Sequence, residues 1–214
     1  MTTGNMIKNA IVLKLLMIFV SFTVFSFGNM TVFMLLGIVV LLGCSFAALK
    51  QGIAMGHEAC AVSNSLERIL EKGDKAPDPL MIRQSYSVSK GVKAIFGGAL
   101  VDYLINCVYI IFMLLKVDET ALIFSRLASF VMVIPYWPIL CHWHEVYNVL
   151  TWDIVLLLMV SPFILPTIQF IGYTKGPAMW AKTEKAMADG KRRAKARSRI
   201  VKKKKLPKSQ RPEI

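Results

Sequence analysis

The sequence contains five long apolar runs, at residues 11–27, 30–49, 94–115, 121–140 and 154–171. A helix needs about 20 apolar residues to cross roughly 30 Å of hydrocarbon, and every run reaches or approaches that length. None shows the alternating apolar and polar pattern of a membrane β-barrel. Because a backbone in lipid must satisfy its own hydrogen bonds, these runs predict five apolar helical segments in an all-α polytopic integral membrane protein.

The charge is distributed very unevenly along the chain. Apolar residues make up 55% of the sequence and charged residues 18%, and the net charge is +13. Residues 1–174 hold 11 Lys and Arg against 10 Asp and Glu, whereas the last 40 residues hold 15 against 3. This pattern excludes a water-soluble enzyme with a single core and a nucleic-acid-binding domain that is basic throughout. It indicates a nearly neutral membrane body with a strongly basic tail.

Turn residues and composition divide the chain into four parts. They are an N-terminal transmembrane helical hairpin at 1–49, a polar loop with an amphipathic helix at 50–93, a proline-interrupted transmembrane region at 94–171, and a basic cytoplasmic tail at 172–214. The hairpin turns at Gly28 and Asn29. The second apolar run is expected to continue as a helix until Gly73, since Pro77 and Pro79 follow.

The tail is predicted to be mostly disordered when free. A short helix is expected at residues 179–188, ended by Asp189 and Gly190. Beyond it the chain has no apolar face, and its like charges repel one another.

Loop charges predict which ends of the helices face the cytoplasm. Basic residues lie near the N-terminus, in the 50–93 loop and in the tail, so all three are predicted to be cytoplasmic, in a plasma or inner membrane. Five complete crossings would put the N-terminus and the tail on opposite sides. Prolines occur in the last two runs and not in the first three. The sequence therefore predicts four full crossings with one of the last two segments re-entrant or in-plane, and five full crossings as the alternative.

One polar stripe lies inside the third run. Asp102 and Asn106 are four residues apart on one helical face, with Gly98 a turn before them, and Arg126 lies in the next run. The stripe has two interpretations, helix-packing contacts or an ion or proton site of a transporter or channel component. A direct contact between Asp102 and Arg126 would require shifted helices. Lys14 is expected to extend to the membrane surface and to have no function.

The three histidines and the neighbouring carboxylates form a second candidate site. If the third and fourth runs both cross, the histidines emerge on the same side, where they could bind zinc or another transition metal. The spacing matches no established metal motif, and aromatic neighbours are also typical of an interfacial belt. The candidate ligands are His57, Glu58, His142, His144 and Glu145.

The tail is the third candidate site. It could bind anionic lipid headgroups, phosphates of ribosomal or other RNA, or an acidic protein partner, and the protein as a whole could belong to a membrane protein complex. No aromatic residue follows Trp180, which disfavours stacking on RNA bases. The candidate contact residues are Lys191, Arg192, Arg193, Lys195, Arg197, Arg199, Lys202, Lys203, Lys204 and Lys205.

These features predict a small membrane-embedded accessory or interaction protein, not an enzyme, whose polybasic tail binds anionic lipid or a cytoplasmic partner. A transporter or channel component that uses the Asp and Asn stripe is the first alternative. A metal-binding membrane enzyme is the second, and no other cofactor is indicated.

Overall fold

The computed structural model describes residues 2–26, 28–73, 76–139 and 151–205, without the side chains of Met30, Ile139 and residues 196–205. Helices are the regular secondary structure of the described residues, which contain no strand. The elements are α1 (Thr3–Phe25), α2 (Met30–Lys72), α3 (Pro79–Gln84), α4 (Val88–Leu115), α5 (Glu119–Val133), a 3-10 helix (Ile134–Ile139) and α6 (Trp152–Lys205).

The ends of α2 follow from its flanking residues. The Asn29 side chain accepts hydrogen bonds from the backbone N–H groups of Thr31 and Val32, at 3.0 and 3.3 Å, and so caps the first turn. Gly73 ends the helix in the left-handed region, with φ 66°. The predicted turn and the predicted helix end are confirmed, and α2 is one continuous helix of 43 residues.

Within the described residues, five helical segments are long and apolar enough to cross a membrane. They are α1, α2, α4, α5 together with the 3-10 helix, and α6, with mean hydropathy between 1.4 and 2.7 over their most apolar stretches. For the described part of the chain, the prediction of an all-helical fold with five apolar segments is confirmed.

One end of the bundle contains the start of α1. A buried cluster joins Met6 of α1 to Met55 and Ala59 of α2, Ala94 of α4 and Tyr173 of α6. The α2–α4 loop and the basic half of α6 lie at this end as well. We call it the stalk end.

The opposite end contains the α1–α2 and α4–α5 turns, and we call it the turn end. Its buried cluster joins Val24 of α1, Phe33 of α2, Ile110 of α4 and Ile154 of α6. Helices α1, α2, α4 and α6 therefore each run from one end of the bundle to the other.

The segment formed by α5 and the 3-10 helix does not follow this pattern. Glu119 begins α5 at the turn end, and its 15 residues rise roughly 22 Å, which is less than the hydrocarbon thickness. The chain then turns back. Trp137 stacks on Phe25, the last residue of α1, with 6.0 Å between ring centroids, and Pro138 fills the space beside Gly37, seven residues into α2. Both the start of α5 and the start of α6 thus lie at the turn end.

Four glycines bring α2 and α6 into backbone contact. A methyl group added at Gly52 would overlap the carbonyl of Gln169, and Gly56, Gly172 and Gly176 are equally crowded by the facing backbone. Gly52 and Gly56 in α2, and Gly172 and Gly176 in α6, have the small-xxx-small spacing that permits close approach of membrane helices. These glycines were not among the predicted packing residues, although their spacing is visible in the sequence.

The prediction of a disordered tail with a short helix at residues 179–188 is wrong for the described part. Helix α6 continues through Pro162, Pro166 and Pro177 and through Asp189 and Gly190 to Lys205. Its middle part packs on α2, so the helix is already nucleated, and the Lys, Arg and Ala residues that follow need only propagate it. Residues 206–214 lie outside the described residues.

The C-terminal part of α2 and the neighbouring part of α6 extend together beyond the stalk end, and we call residues 57–72 and 177–191 the stalk. The two helices are parallel, and Gly56 packs against Gly176. Lys72 follows Gly56 by the same number of residues as Arg192 follows Gly176. Lys72 and Arg192 therefore lie at the same height along the two helices. The part of α6 from residue 192 onward therefore extends past the end of α2.

The α2–α4 loop is held against the bundle by aromatic packing. Tyr86 stacks on Tyr173 of α6, with ring centroids 4.9 Å apart, and its backbone N–H donates to the Ser63 hydroxyl at 2.8 Å. Burial, with a smaller effect from Cys60, raises the pKa of Tyr86.

Candidate functional site

A buried ion pair lies at the centre of the bundle. The Lys14 ammonium of α1 contacts the Asp102 carboxylate of α4, and the two side chains are only 8% and 10% exposed. Lys14 is the midpoint of α1, roughly 16 Å from either end, and Asp102 lies near the midpoint of α4. Each charge is compensated by the other where an isolated charge would be costly.

The expectation that Lys14 reaches the membrane surface is wrong. It assumed a span starting at residue 11, whereas α1 starts at Thr3 and adds two turns before it. The signal available in the sequence was one amine and one carboxylate, each at the middle of its helix. Asp102 does not pair with Arg126, since the Arg126 guanidinium interacts with the Tyr109 hydroxyl nearer the turn end.

Asn106 connects three helices. Its side-chain N–H donates to the Leu158 carbonyl of α6 at 2.7 Å, and its side-chain oxygen accepts from the Ser129 hydroxyl of α5 at 2.9 Å. The Leu158 carbonyl is available because Pro162, four residues later, has no backbone N–H to donate to it. Asn106 thus completes a hydrogen bond that the proline removes from α6.

Gly98 allows two neighbours to approach α4. A methyl group added there would lie 3.3 Å from the Ala10 side chain of α1 and 3.4 Å from the Pro166 ring of α6. The three residues of the predicted stripe, Gly98, Asp102 and Asn106, thus contact α1, α5 and α6.

Tyr136 occupies the tip of the segment that turns back. It is fully buried, packs with Met17, Cys44 and Leu165, and its ring centroid lies 6.0 Å from the Lys14 ammonium nitrogen. Within the described residues its hydroxyl has no hydrogen-bond partner. The tip therefore reaches the ion pair from the turn end.

A cavity of about 120 Å³ lies beside the ion pair and opens between α1 and α4. Lys14 and Asp102 form part of its wall. Ile11, Leu15 and Val101 lie at its mouth and are 39%, 56% and 58% exposed. The opening is therefore on the apolar outer surface of the bundle.

The predicted metal ligands are not brought together in the described residues. His57 and Glu58 lie at the stalk end, whereas His142, His144 and Glu145 lie outside the described residues. Among the residues that the structure describes, no three His, Cys, Asp or Glu side chains form a group able to hold a metal ion.

His57 instead joins the two helices of the stalk. Its Nε2 lies 3.3 Å from the Thr183 hydroxyl, and its ring packs edge-on against Trp180. The Thr183 hydroxyl also lies 3.0 Å from the Met179 carbonyl, so His57 is linked through Thr183 to the backbone of α6.

The basic residues of the tail lie at the far end of α6. Lys191, Arg192, Arg193 and Lys195 are exposed, and Arg197, Arg199 and Lys202 to Lys205 follow on the same helix. Residues 191–205 contain ten Lys and Arg and no Asp or Glu. These residues begin level with the end of α2 and continue past it, and we call residues 191–205 the tip of the stalk.

No protein-family model, curated protein or solved structure matches this chain. Its function therefore has to be argued from its own residues.

Proposed function

We propose that this chain is an integral membrane protein with four crossings, formed by α1, α2, α4 and α6, and one re-entrant segment formed by α5 and the 3-10 helix. The shortness of α5 and the contacts of Trp137 and Pro138 at the turn end support this arrangement. It places the N-terminus, the α2–α4 loop and the tail on one side. That side is the cytoplasm, because the segment between α2 and α4 and the tail are rich in Lys and Arg and the start of α1 carries Lys8.

Within that membrane we propose an accessory or interaction protein, without enzymatic activity, that presents a basic helix to an acidic cytoplasmic protein. One contrast carries this proposal. The charges of Lys14 and Asp102 compensate each other inside the bundle, and Asn106 is hydrogen-bonded to Ser129, whereas residues 191–205 have ten positive charges and no acidic residue. The uncompensated charge that can attract a partner is therefore at the tip of the stalk.

The length of the stalk favours a protein partner over the headgroups of the surrounding membrane. From Lys175, just past the last apolar run, to Lys191 the helix rises roughly 24 Å. Electrostatic attraction falls off over about 8 Å at physiological salt, so the tip begins about three screening lengths away from the headgroups. RNA phosphates could reach the tip, but the absence of aromatics after Trp180 removes the stacking that specific RNA recognition uses.

The test uses the full chain in nanodiscs of neutral lipid and three probes: a polyglutamate peptide, vesicles containing phosphatidylserine, and ribosomes. We expect binding to polyglutamate that weakens at least tenfold between low and high salt. A variant with Lys191, Arg192, Arg193 and Lys195 changed to Gln should lose most of this binding.

The matched control removes the same number of charges elsewhere. Lys8, Lys50, Lys93 and Lys175 are exposed, and their replacement by Gln should leave binding to polyglutamate within about twofold of the original. Equal loss in both variants would show that net charge, and not the stalk tip, attracts the probe. Preferential binding to ribosomes or to vesicles would contradict the proposal and would identify RNA or lipid, respectively, as the ligand of the tip.

A transporter or channel component is the second candidate function. The observation that favours it is the Lys14–Asp102 pair at mid-depth beside a cavity, because intramembrane ionisable groups mark many ion and proton paths. Replacing both residues, by Met and Leu, removes the charges without leaving one unpaired. In proteoliposomes a transporter would lose its proton or ion flux in this variant, whereas an accessory protein would show no flux in either form.

A further inference from the structure

The cavity beside Lys14 and Asp102 has polar groups that the protein does not use. The Lys14 ammonium bonds to one carboxylate oxygen of Asp102, and within the described residues neither side chain has another hydrogen bond. Two N–H groups of Lys14 and the second oxygen of Asp102 therefore remain. A ligand that fits them must donate one hydrogen bond and accept another.

The depth of the pair restricts which molecules can reach it. Lys14 lies roughly 16 Å from both ends of α1, and the mouth of the cavity is lined by the exposed side chains of Ile11, Leu15 and Val101. In the proposed membrane location this mouth faces hydrocarbon. A charged or zwitterionic headgroup would have to leave water to enter it, whereas an uncharged hydroxyl group loses far less hydration.

The space beside the cavity suits an alkyl chain. A shallow groove of about 410 Å³ continues along α1 toward the turn end, lined by Phe19 and Phe22, and shares Leu15 and Ile18 with the cavity. The cavity itself, about 120 Å³, has room for an end group and a few carbon atoms. Together they form an apolar path that ends at a pair of charged groups.

We propose that the crevice between α1 and α4 binds an uncharged amphipath of the bilayer with a hydroxyl end group, such as a long-chain alcohol or a diacylglycerol. Its hydroxyl donates to the free oxygen of Asp102 and accepts from a Lys14 N–H, and its chain lies along Leu15 and Ile18. The proposal rests on the membrane location proposed above.

The test is photolabelling of the full chain in bilayers with a long-chain alcohol that carries a diazirine near its hydroxyl. We expect labelled peptides containing residues 11–18 and 98–102. The corresponding methyl ether can accept but not donate a hydrogen bond, and it should label these peptides about tenfold less. Equal labelling by alcohol and ether would overturn the proposal.

Two variants and one control make the result specific. Changing Lys14 to Met together with Asp102 to Leu should reduce labelling by the alcohol to the level of the ether. If that variant fails to fold, Val101→Trp blocks the mouth with the ion pair intact and should also abolish labelling. Leu104→Met, at another exposed position of α4, should change nothing. Unchanged labelling in a folded double variant, or in Val101→Trp, would also overturn the proposal.

Failure of the membrane location can be told apart from failure of this site. Release of the protein from membranes by alkaline carbonate would contradict the location itself. Retention in the membrane together with equal labelling by the two probes would contradict only the amphipath site.

Discussion

Lys14 and Asp102 each make the burial of the other tolerable. Both lie at the middle of long apolar helices, and their side chains are at least 90% buried. Removing one partner leaves the other as an uncompensated charge in a medium of low dielectric constant. Replacing both by apolar side chains of similar size removes the charges and their desolvation cost together.

We predict that Lys14→Met and Asp102→Leu each lower the free energy of unfolding by about 3 kcal/mol, whereas the double variant lies within about 1 kcal/mol of the original chain. Unfolding by denaturant in mixed micelles would measure the three values. Additive losses in the double variant would contradict the ion pair.

Asn106 and Pro162 give a second prediction at this scale. Asn106→Leu should cost about 1 kcal/mol in the original chain, because the Leu158 carbonyl and the Ser129 hydroxyl lose their partner. In a Pro162→Ala background the restored N–H of residue 162 can bond to Leu158, so the same substitution should cost less. A double-mutant cycle on unfolding free energies measures this difference, and an equal cost in both backgrounds would contradict the account.

The sequence alone identified some of these residues and not others. Asp102 and Asn106 were predictable because a carboxylate and an amide four residues apart in an apolar helix are conspicuous. Lys14 was not, because its depth depends on the start of α1, and residues 3–10 are too polar to be counted in an apolar run. The partner of Asn106 also requires the relative position of α4 and α6, which no local pattern provides.

At the scale of the helices, backbone contact between α2 and α6 is the main packing device. Gly56 has no room for a side chain, whereas Gly43, also in α2, has no neighbouring heavy atom within 4 Å of the position of an added methyl group. Both glycines lie inside the same helix, so the gain in helix propensity on substitution by Ala is similar for the two. Comparing an Ala substitution at Gly56 with one at Gly43 therefore isolates the contribution of packing to the free energy of unfolding.

We predict that Gly56→Ala lowers the free energy of unfolding by at least about 2 kcal/mol relative to Gly43→Ala, which should be neutral or slightly stabilising. Unfolding in mixed micelles measures both variants under the same conditions. Equal effects would show that α2 and α6 do not approach as closely as described.

The ion pair in the stalk should matter much less. Arg68 and Glu184 are 3.1 Å apart, but their side chains are 69% and 45% exposed. Screening by solvent reduces such pairs to small contributions, so Arg68→Ala should change the free energy of unfolding by less than about 0.5 kcal/mol. A loss above 1 kcal/mol would mean that charge, and not glycine packing, holds the stalk together.

The helix count was predictable because hydropathy over bilayer-length windows is a strong signal. The length of α6 was not, because Asp189 and Gly190 resemble a helix end and the residues after them resemble a disordered segment. Packing of the preceding turns on α2 outweighs these local preferences. The shortness of α5 became visible only through the contacts of Trp137 and Pro138 with α1 and α2.

At the scale of the whole molecule, charge and topology agree. The start of α1, the α2–α4 loop and the tail lie at the stalk end, so a single orientation satisfies the basic residues of all three. Four crossings produce this arrangement, whereas five would put the tail on the opposite side from the loop. The proposed role of the stalk depends on an even number of crossings, since the basic tip must face an acidic partner in the cytoplasm.

Side-specific labelling tests most directly whether the chain crosses the membrane four or five times. After Cys44, Cys60, Cys107 and Cys141 are replaced by Ala, single cysteines are placed at Asn5, Ala76, Val117 and Ala188 and treated with an impermeant maleimide in sealed membranes. We predict that positions 5, 76 and 188 react from the cytoplasmic side and position 117 from the other side. Reaction of position 188 from the same side as position 117 would show five crossings and contradict the account.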